Sequence, residues 1–139
     1  MITLKNSTVT ATITEQGAQL KKLTALKNQL DYVATQSDSI LFPAIGKSYQ
    51  DTYEYQDRHY QMPIHGFAKD AIWQIFSQSS DQVTLKLTDN EISRANYPFY
   101  FQFLVTYRLL ADGIDVQYHL TNMGNVTMAF SLCSLIESA

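Results

Sequence analysis

The sequence is poor in cysteine and has no long hydrophobic run. Its single cysteine among 139 residues, Cys133, excludes a disulfide within the chain. The apolar surroundings of Cys133, from Met128 to Ile136, indicate a buried, unreactive thiol rather than a nucleophile. No apolar run approaches the ~20 residues that a membrane-spanning helix requires, and no charged-then-apolar leader precedes the first alternating stretch. We therefore expect a cytoplasmic protein without a membrane partner.

An excess of positive charge is also lacking. The 10 Lys and Arg residues against 13 Asp and Glu residues give a net charge of −3, and no basic cluster stands out. Nucleic acids bind mainly to clustered positive charge, so we expect no nucleic-acid partner. The sequence has no Gly-rich phosphate loop and no Gly-x-Ser-x-Gly elbow, and its histidines lack metal-ligand spacing. These absences exclude several catalytic classes, although a dispersed pair of carboxylates would leave no motif.

The pattern that dominates the sequence is the two-residue alternation of β-strands. Apolar and polar residues alternate in four stretches, and each would place one face on a core and the other toward water or a second layer. The apolar positions are Val9, Ala11 and Ile13; Val83, Leu85 and Leu87; Phe99 through Leu109; and Ile114, Val116, Tyr118 and Leu120. Aromatic residues make up 12% of the chain, and packing in a sheet core explains them better than sugar stacking does.

Turn and cap residues separate these stretches. Asp112-Gly113 lies between two alternating runs and predicts a tight hairpin. The one helix candidate begins at a cap on Asp89 or Asn90 and runs to Ala95. Because the sequence has no repeat, linker or low-complexity tract, residues 1–139 are expected to form a single all-β domain, an antiparallel β-sandwich.

Three histidines are candidates for a chemical role. His59 follows the pair Gln56-Asp57, which predicts a second hairpin, and is expected to be a solvated turn residue. His119 is opposite in phase to an apolar series and is expected on an exposed strand face. His65 lies in a loop next to Gly66, a residue that lets backbone approach a ligand closely. A lone loop histidine is more often structural than functional, so both interpretations of His65 stay open.

Several stretches follow one another in an order that is typical of a known family. They are Leu41–Lys47, Asp51–Tyr55 and Met62–Asp70, with supporting matches at Thr14–Leu20, Tyr97–Phe99, Thr121–Gly124 and Met128–Ser131. Together they resemble the aldose 1-epimerase, or galactose mutarotase, family, and in particular its bacterial LacX-like branch. The resemblance implies a partial galactose mutarotase-like supersandwich that binds a hexose in a groove across one sheet, without a metal or organic cofactor.

The resemblance also implies roles for individual residues. Members of the family interconvert the α and β anomers of a sugar: a carboxylate takes the anomeric hydroxyl proton and a histidine protonates the ring oxygen. His65 matches the sugar-binding histidine of the family's His-Gly motif, which includes Gly66. Lys47 and Lys69 stand where the family usually has arginine; lysine keeps the charge but lacks the planar fork. We therefore expect substrate binding at His65, Lys47 and Gly66.

The residues for proton transfer are expected to be missing. After Ser131 the family normally continues with a Gly-Ala-His-Pro type segment that carries the general acid. Counted without gaps, Leu135 stands where that histidine would be. The glutamate base lies much further on in relatives, and Glu137 matches no catalytic position. We expect a truncated aldose 1-epimerase-like protein that is inactive or weakly active and retains some carbohydrate binding.

Two alternatives to this function stay open: a non-catalytic carbohydrate-binding or protein-interaction module, and a degenerate gene product. Half of a sandwich would leave open strand edges and an exposed apolar sheet face, which favour association. We therefore expect a homo-oligomer in which a second copy covers these surfaces. A partner chain that supplies the other half of the fold is the remaining option.

Overall fold

The computed structural model describes residues 1–31, 39–46 and 49–135. The strands are β1 (Ile2–Lys5), β2 (Val9–Thr14), β3 (Gln19–Ala25), β4 (Ser39–Leu41), β5 (Thr52–Tyr55), β6 (Arg58–Gln61), β7 (Gln74–Gln78), β8 (Gln82–Thr88), β9 (Phe101–Leu109), β10 (Ile114–Asn122) and β11 (Cys133–Leu135). A short 3-10 turn covers Tyr49–Asp51, and the helix α1 (Glu91–Asn96) lies between β8 and β9. Neither described helix has the length and apolar character needed to cross a membrane.

The first sheet is an antiparallel meander in the order β1-β2-β3. The alternation predicted for β2 is observed, because Val9, Ala11 and Ile13 are buried while the threonines between them are half-exposed. A register shift at Thr12/Ile13 marks a bulge in the pairing of β2 with β3. Such a bulge bends and twists the strand locally, which helps one sheet to wrap over another.

The second sheet contains longer strands, all antiparallel, in the order β10-β9-β8-β7. β9 presents alternate residues to the core along its whole length. Asp112-Gly113 lies in the predicted tight turn between β9 and β10, where the N–H of Leu110 donates to the carbonyl oxygen of Gly113 at 2.8 Å. The apolar series of β10 is only half-buried, because β10 is an outer strand of this sheet.

The apolar faces of the two sheets contribute to one continuous core. Tyr107 is fully buried in it, and its hydroxyl donates to the carbonyl oxygen of Ala18 at 2.6 Å. The buried indole of Trp73 donates to the carbonyl oxygen of Ala68 at 3.0 Å. The polar atoms of these two side chains thus have partners, so both fill the core without leaving a donor unsatisfied. The predicted all-β antiparallel sandwich is confirmed.

The turn between β1 and β2 binds to turns far along the sequence. The N–H of Lys5 donates to the carbonyl oxygen of Ser80 at 2.9 Å. The side-chain amide of Asn6 donates to Leu110 at 2.9 Å, and the hydroxyl of Thr8 donates to Ala111 at 2.6 Å. These bonds hold one end of the first sheet against the loops of the second.

The smaller elements agree with the sequence, with one correction. β5 and β6 form the predicted second hairpin around Gln56-Asp57. His59 is exposed as expected, but it lies within β6 rather than in the turn, because the pair Gln56-Asp57 makes the whole turn. The predicted helix forms as α1 with Asn90 as its N-cap: the Asn90 side chain accepts from the N–H of Ser93, and the Ser93 hydroxyl accepts from the N–H of Asn90.

Phe42, the residue after β4, is the centre of an aromatic cluster. Its side chain is fully buried. Its ring centroid lies 5.0 to 6.2 Å from those of Phe67, Tyr97, Phe101, Phe103 and Phe130. Four of these ring pairs have the edge-to-face arrangement that aromatic quadrupoles prefer, and the pair with Phe130 is tilted. β4 is short, and the Phe42 ring attaches it to the core together with the buried side chains of Ile40 and Leu41.

We predict that Phe42→Ala lowers the free energy of unfolding by about 3–5 kcal/mol, because it empties a fully packed site. Phe76→Ala is the matched control: Phe76 is exposed and contacts mainly the Lys86 ammonium, so its loss should cost less than about 1 kcal/mol. Urea unfolding followed by Trp73 fluorescence measures both. Equal costs for the two variants would show that Phe42 does not organise the core.

Candidate functional site

The loop after β6 carries the histidine that the sequence singles out. His65 and Gly66 both adopt the left-handed region, with φ of 63° and 79°. The N–H groups of Phe67 and Ala68 both donate to the carbonyl oxygen of Phe42, at 3.0 and 3.1 Å. The loop is therefore held directly against the residue whose ring centres the aromatic cluster.

Gly66 is required at its position for two reasons. Its φ is one that side chains disfavour, and a Cβ there would lie 2.2 Å from the carbonyl oxygen of Phe42. The sequence predicted close backbone approach at Gly66, and the approach observed is to the backbone of Phe42. Contact of Gly66 with a sugar stays a prediction.

The imidazole of His65 is oriented by Gly46. The N–H of Gly46 donates to His65 Nδ1 at 2.9 Å, and the N–H of His65 donates to the carbonyl oxygen of Gly46 at 2.8 Å. Because Nδ1 accepts, the neutral ring carries its proton on Nε2. His65 is half-buried, so the site offers an oriented Nε2–H donor on a ring that cannot rotate without breaking the bond to Gly46.

Of the two lysines that replace arginine in the family pattern, only Lys69 is among the described residues. Lys47, predicted to hold the sugar, lies outside the described residues, and so does Glu137. Lys69 is described, and its ammonium forms an ion pair with Asp70 at 2.6 Å. That pairing directs the Lys69 charge to a neighbouring carboxylate.

A cavity of about 570 Å³ lies beside the His65 loop. Ile45 lines it, and Ile45 is bonded to Gly46, the residue that orients His65. Its walls come from Pro43, Ala44, Ile45, Tyr53, Glu54, Tyr55, Met62, Tyr97, Phe99, Thr127, Ala129, Phe130 and Ser131. The volume is in the range of small-molecule sites, but neither His65 nor Gly66 is part of the wall.

Tyrosines form the rigid part of this wall. The Tyr53 ring stacks on Tyr60 with centroids 5.4 Å apart, and its hydroxyl donates to the carbonyl oxygen of Asn96 at 2.6 Å. The Tyr97 hydroxyl donates to the carbonyl oxygen of Ala129 at 2.6 Å. Burial, with a smaller contribution from Tyr60, raises the pKa of Tyr53 to about 12, and burial also raises the pKa of Tyr97. Both rings therefore stay neutral and fixed at physiological pH.

The polar groups of the cavity are few. Glu54 is the only ionisable carboxyl among the described wall residues, and Thr127 and Ser131 are the wall residues with aliphatic hydroxyls. Aromatic faces pack on the apolar C–H surface of a ligand, while carboxylate and hydroxyl oxygens bind its polar groups. The described residues hold no cluster of three or more side chains able to bind a metal ion. The sequence predicts Tyr53 and Tyr55 as strand residues and as part of the family-like stretch Asp51–Tyr55, but it does not predict this wall.

Substitutions at three glycines separate two costs of adding a Cβ atom: collision with a neighbouring atom and a disfavoured backbone conformation. Gly113→Ala, with open space and no positive φ, should change the free energy of unfolding by less than about 0.5 kcal/mol. Gly46→Ala meets no neighbour but has a positive φ, so we expect a cost of about 1–2 kcal/mol. Gly66→Ala should cost more than Gly46→Ala, because it adds the clash with Phe42. Urea titrations give the order, and a Gly66→Ala variant as stable as Gly46→Ala would contradict the tight junction.

The raised pKa values make stability depend on alkaline pH. Below the pKa of an unfolded tyrosine, about 10, both states are neutral and the stabilisation is complete. Above it the unfolded chain ionises first, so stability falls as pH rises toward the folded pKa of Tyr53, about 12. Urea midpoints measured across this window should fall less steeply in Tyr53→Phe and Tyr97→Phe than in the parent. Tyr100→Phe, which removes the hydroxyl of an exposed tyrosine, is the control for the substitution itself.

Comparison with known proteins places this geometry in a family. A search of curated proteins gives no match. A galactose mutarotase-like protein from Lactobacillus casei is 37% identical with a TM-score of 0.91, over 95% of this chain and 47% of that one. A galactose mutarotase related enzyme from Lactobacillus acidophilus is 26% identical with a TM-score of 0.90, over 94% and 46%.

A third solved structure shows similarity in fold alone, because its sequence identity to this chain is low. The aldose epimerase homologue from C. elegans has a TM-score of 0.77 at 17% identity, over 99% of this chain and 50% of that one. The chain thus spans about half the length of the solved relatives it matches. The family model for aldose 1-epimerase matches residues 1–133, and the chain therefore belongs to the aldose 1-epimerase family.

Proposed function

We propose that this chain holds a hexose beside His65 and the aromatic cavity, and that by itself it interconverts sugar anomers weakly or not at all. Lys47, Gly66 and His65 form the predicted sugar contacts in this proposal. The proposal concerns the residues of this chain, which correspond to about half of the matched relatives.

The observation that supports sugar binding is the orientation of the His65 imidazole. Its Nδ1 accepts from Gly46, so Nε2–H is the group left to donate to a sugar hydroxyl. A donor that is already oriented loses little freedom on binding, which favours affinity for a polar ligand. The cavity next to Ile45 supplies what one donor lacks, because Tyr55 and Phe99 offer apolar faces and Glu54 offers acceptors.

The catalytic part rests on which residue types surround the cavity. Ring opening needs a base at the anomeric hydroxyl and an acid at the ring oxygen, and each contributes about 10²–10⁴-fold. The described wall contains one carboxylate, Glu54, and no histidine. Leu135, which stands where the family's acid histidine is expected, lies in β11 opposite Ser39 and has no proton to transfer. These residues support sugar holding better than they support proton transfer.

A protein-interaction module is the second candidate function. The observation that favours it is the outer edge of β10, a long strand with a described neighbour on one side only. This function is compatible with sugar binding, since β10 contributes no residue to the cavity wall.

Sugar binding is tested by nuclear magnetic resonance titration with D-galactose and D-glucose. We expect shifts centred on Ile45, Gly46 and Gly66. His65→Ala should weaken binding about five- to tenfold, as expected for the loss of one hydrogen bond of about 1–1.5 kcal/mol. His59→Ala is the matched control, because His59 is exposed on β6 and should leave the affinity unchanged. The absence of any saturable shift would overturn the binding proposal.

Polarimetry tests the catalytic part separately. The optical rotation of freshly dissolved α-D-galactose should relax at nearly the same rate with and without protein, because the described cavity wall holds no histidine to act as the acid. An acceleration that grows with protein concentration and disappears in His65→Ala would show that the chain is an active epimerase. The same acceleration in His65→Ala and in the parent would point instead to a contaminating enzyme.

A further inference from the structure

The wall of the cavity beside His65 changes in chemical character from its inner part to its opening. Six of its residues are buried or half-buried, and together they form what we call the cavity floor: Pro43, Tyr53, Tyr55, Met62, Tyr97 and Phe99. All six are apolar or aromatic. Glu54, Thr127 and Ser131, the wall residues with a carboxylate or an aliphatic hydroxyl, are all exposed. The polar side chains therefore lie at the opening and the apolar ones further in.

The polar atoms of the floor already have partners within the protein. The hydroxyls of Tyr53 and Tyr97 donate to backbone carbonyl oxygens, each at 2.6 Å. The N–H groups of Met62 and Phe99 also donate to backbone carbonyl oxygens, each at 2.8 Å. Pro43 has no N–H, and its carbonyl oxygen accepts a bond of 2.8 Å. These groups are engaged in holding the wall together rather than in binding a ligand.

Such a floor suits an apolar group better than a sugar ring. A hexose has hydroxyls around its whole ring, and a hydroxyl that leaves water without a new partner costs free energy. An apolar group gains free energy by leaving water. The cavity of about 570 Å³ is in the range that encloses drug-sized ligands, which are larger than one hexose.

The oriented histidine lies at the opening rather than on the floor. Ile45 is an exposed wall residue, and the next residue, Gly46, donates to His65 Nδ1 at 2.9 Å. A hexose that accepts a bond from Nε2–H of His65 is therefore placed beside the opening, near the exposed polar wall residues. A group attached to that hexose and directed into the cavity meets the floor.

The floor rings are arranged to receive another ring. The centroids of Tyr97 and Phe99 lie 4.7 Å apart at 59°, and those of Tyr55 and Phe99 lie 5.0 Å apart at 54°. Rings inclined in this way offer both faces and edges, which are the surfaces that aromatic groups pack against. The thioether of Met62 is a further favourable neighbour for an aromatic ring.

We propose that this chain binds an aryl hexoside, with the hexose at His65 and the aryl group, joined through the anomeric oxygen, on the cavity floor. This inference rests on the proposed sugar binding and names the class of sugar that is bound. A chain that holds a sugar without opening its ring needs no free anomeric hydroxyl, so the anomeric oxygen can carry a substituent.

Isothermal titration calorimetry with methyl and phenyl glycosides of D-galactose and D-glucose, in both anomeric forms, tests the aryl site. In at least one pair we expect the phenyl glycoside to bind at least about tenfold more tightly than the methyl glycoside, because its ring buries apolar surface on the floor. Equal affinities in all pairs would overturn the aryl site and leave sugar binding intact. Phenyl glycoside binding that His65→Ala leaves unchanged would overturn the sugar binding instead, and no binding by any glycoside would overturn both.

The ratio of phenyl to methyl glycoside affinity separates the two parts of the site in variants. Tyr55→Ala should lower this ratio at least about threefold, since it removes a ring from the floor. Tyr100→Ala is the matched control, because Tyr100 is exposed and is not a wall residue. His65→Ala should weaken both glycosides by the same factor and leave the ratio unchanged. A ratio that Tyr55→Ala does not lower would contradict the aryl site.

Nuclear Overhauser effects in the parent protein test the location of the aryl group even if Tyr55→Ala folds poorly. The phenyl protons of the bound glycoside should contact the Met62 methyl group and the Phe99 ring, which both belong to the floor. Contacts with an exposed ring outside the wall, such as Phe76, in place of these would overturn the proposal.

Discussion

The carbonyl oxygen of Phe42 accepts two hydrogen bonds, from the N–H groups of Phe67 and Ala68, and the candidate site depends on this junction. The ring of Phe42 is fixed by the aromatic cluster of the core, while its backbone holds the loop that contains His65. Gly66 allows the contact, since any side chain there would collide with the same carbonyl. The position of the site histidine is thus set by core packing rather than by the loop itself.

Hydrogen bonds of the same kind join the segments around the cavity. Tyr53 binds Asn96 at the end of α1, and Tyr97 binds Ala129 in the segment before β11. The N–H of Ser131 donates to the carbonyl oxygen of Pro43, which closes the ring of contacts back to the residue after Phe42. Because each bond joins residues distant in sequence, together they hold the loop segments of the wall in place around β5.

Local rules in the sequence predict the strands well but not their long-range partners. Alternation from Phe101 to Leu109 predicts β9 because strand geometry places successive side chains on opposite faces. Asp112-Gly113 predicts its turn because the conformation of a tight turn depends mainly on the residues within it. By contrast, no periodicity in the sequence predicts the pairing of β4 with β11 or the hydrogen bond between Tyr53 and Asn96. Family resemblance identified His65, but the aromatic wall beside it emerges only when strands distant in sequence meet.

The bonds from Lys5, Asn6 and Thr8 to Ser80, Leu110 and Ala111 also bear on the order of events during translation. The first sheet is made early on the ribosome, as a meander whose contacts are local. Its apolar face is covered only after β8 and β9 have left the exit tunnel, so it stays exposed until those strands have been made. Long-range closure of this kind slows folding and leaves apolar strands uncovered, where a chaperone can bind them.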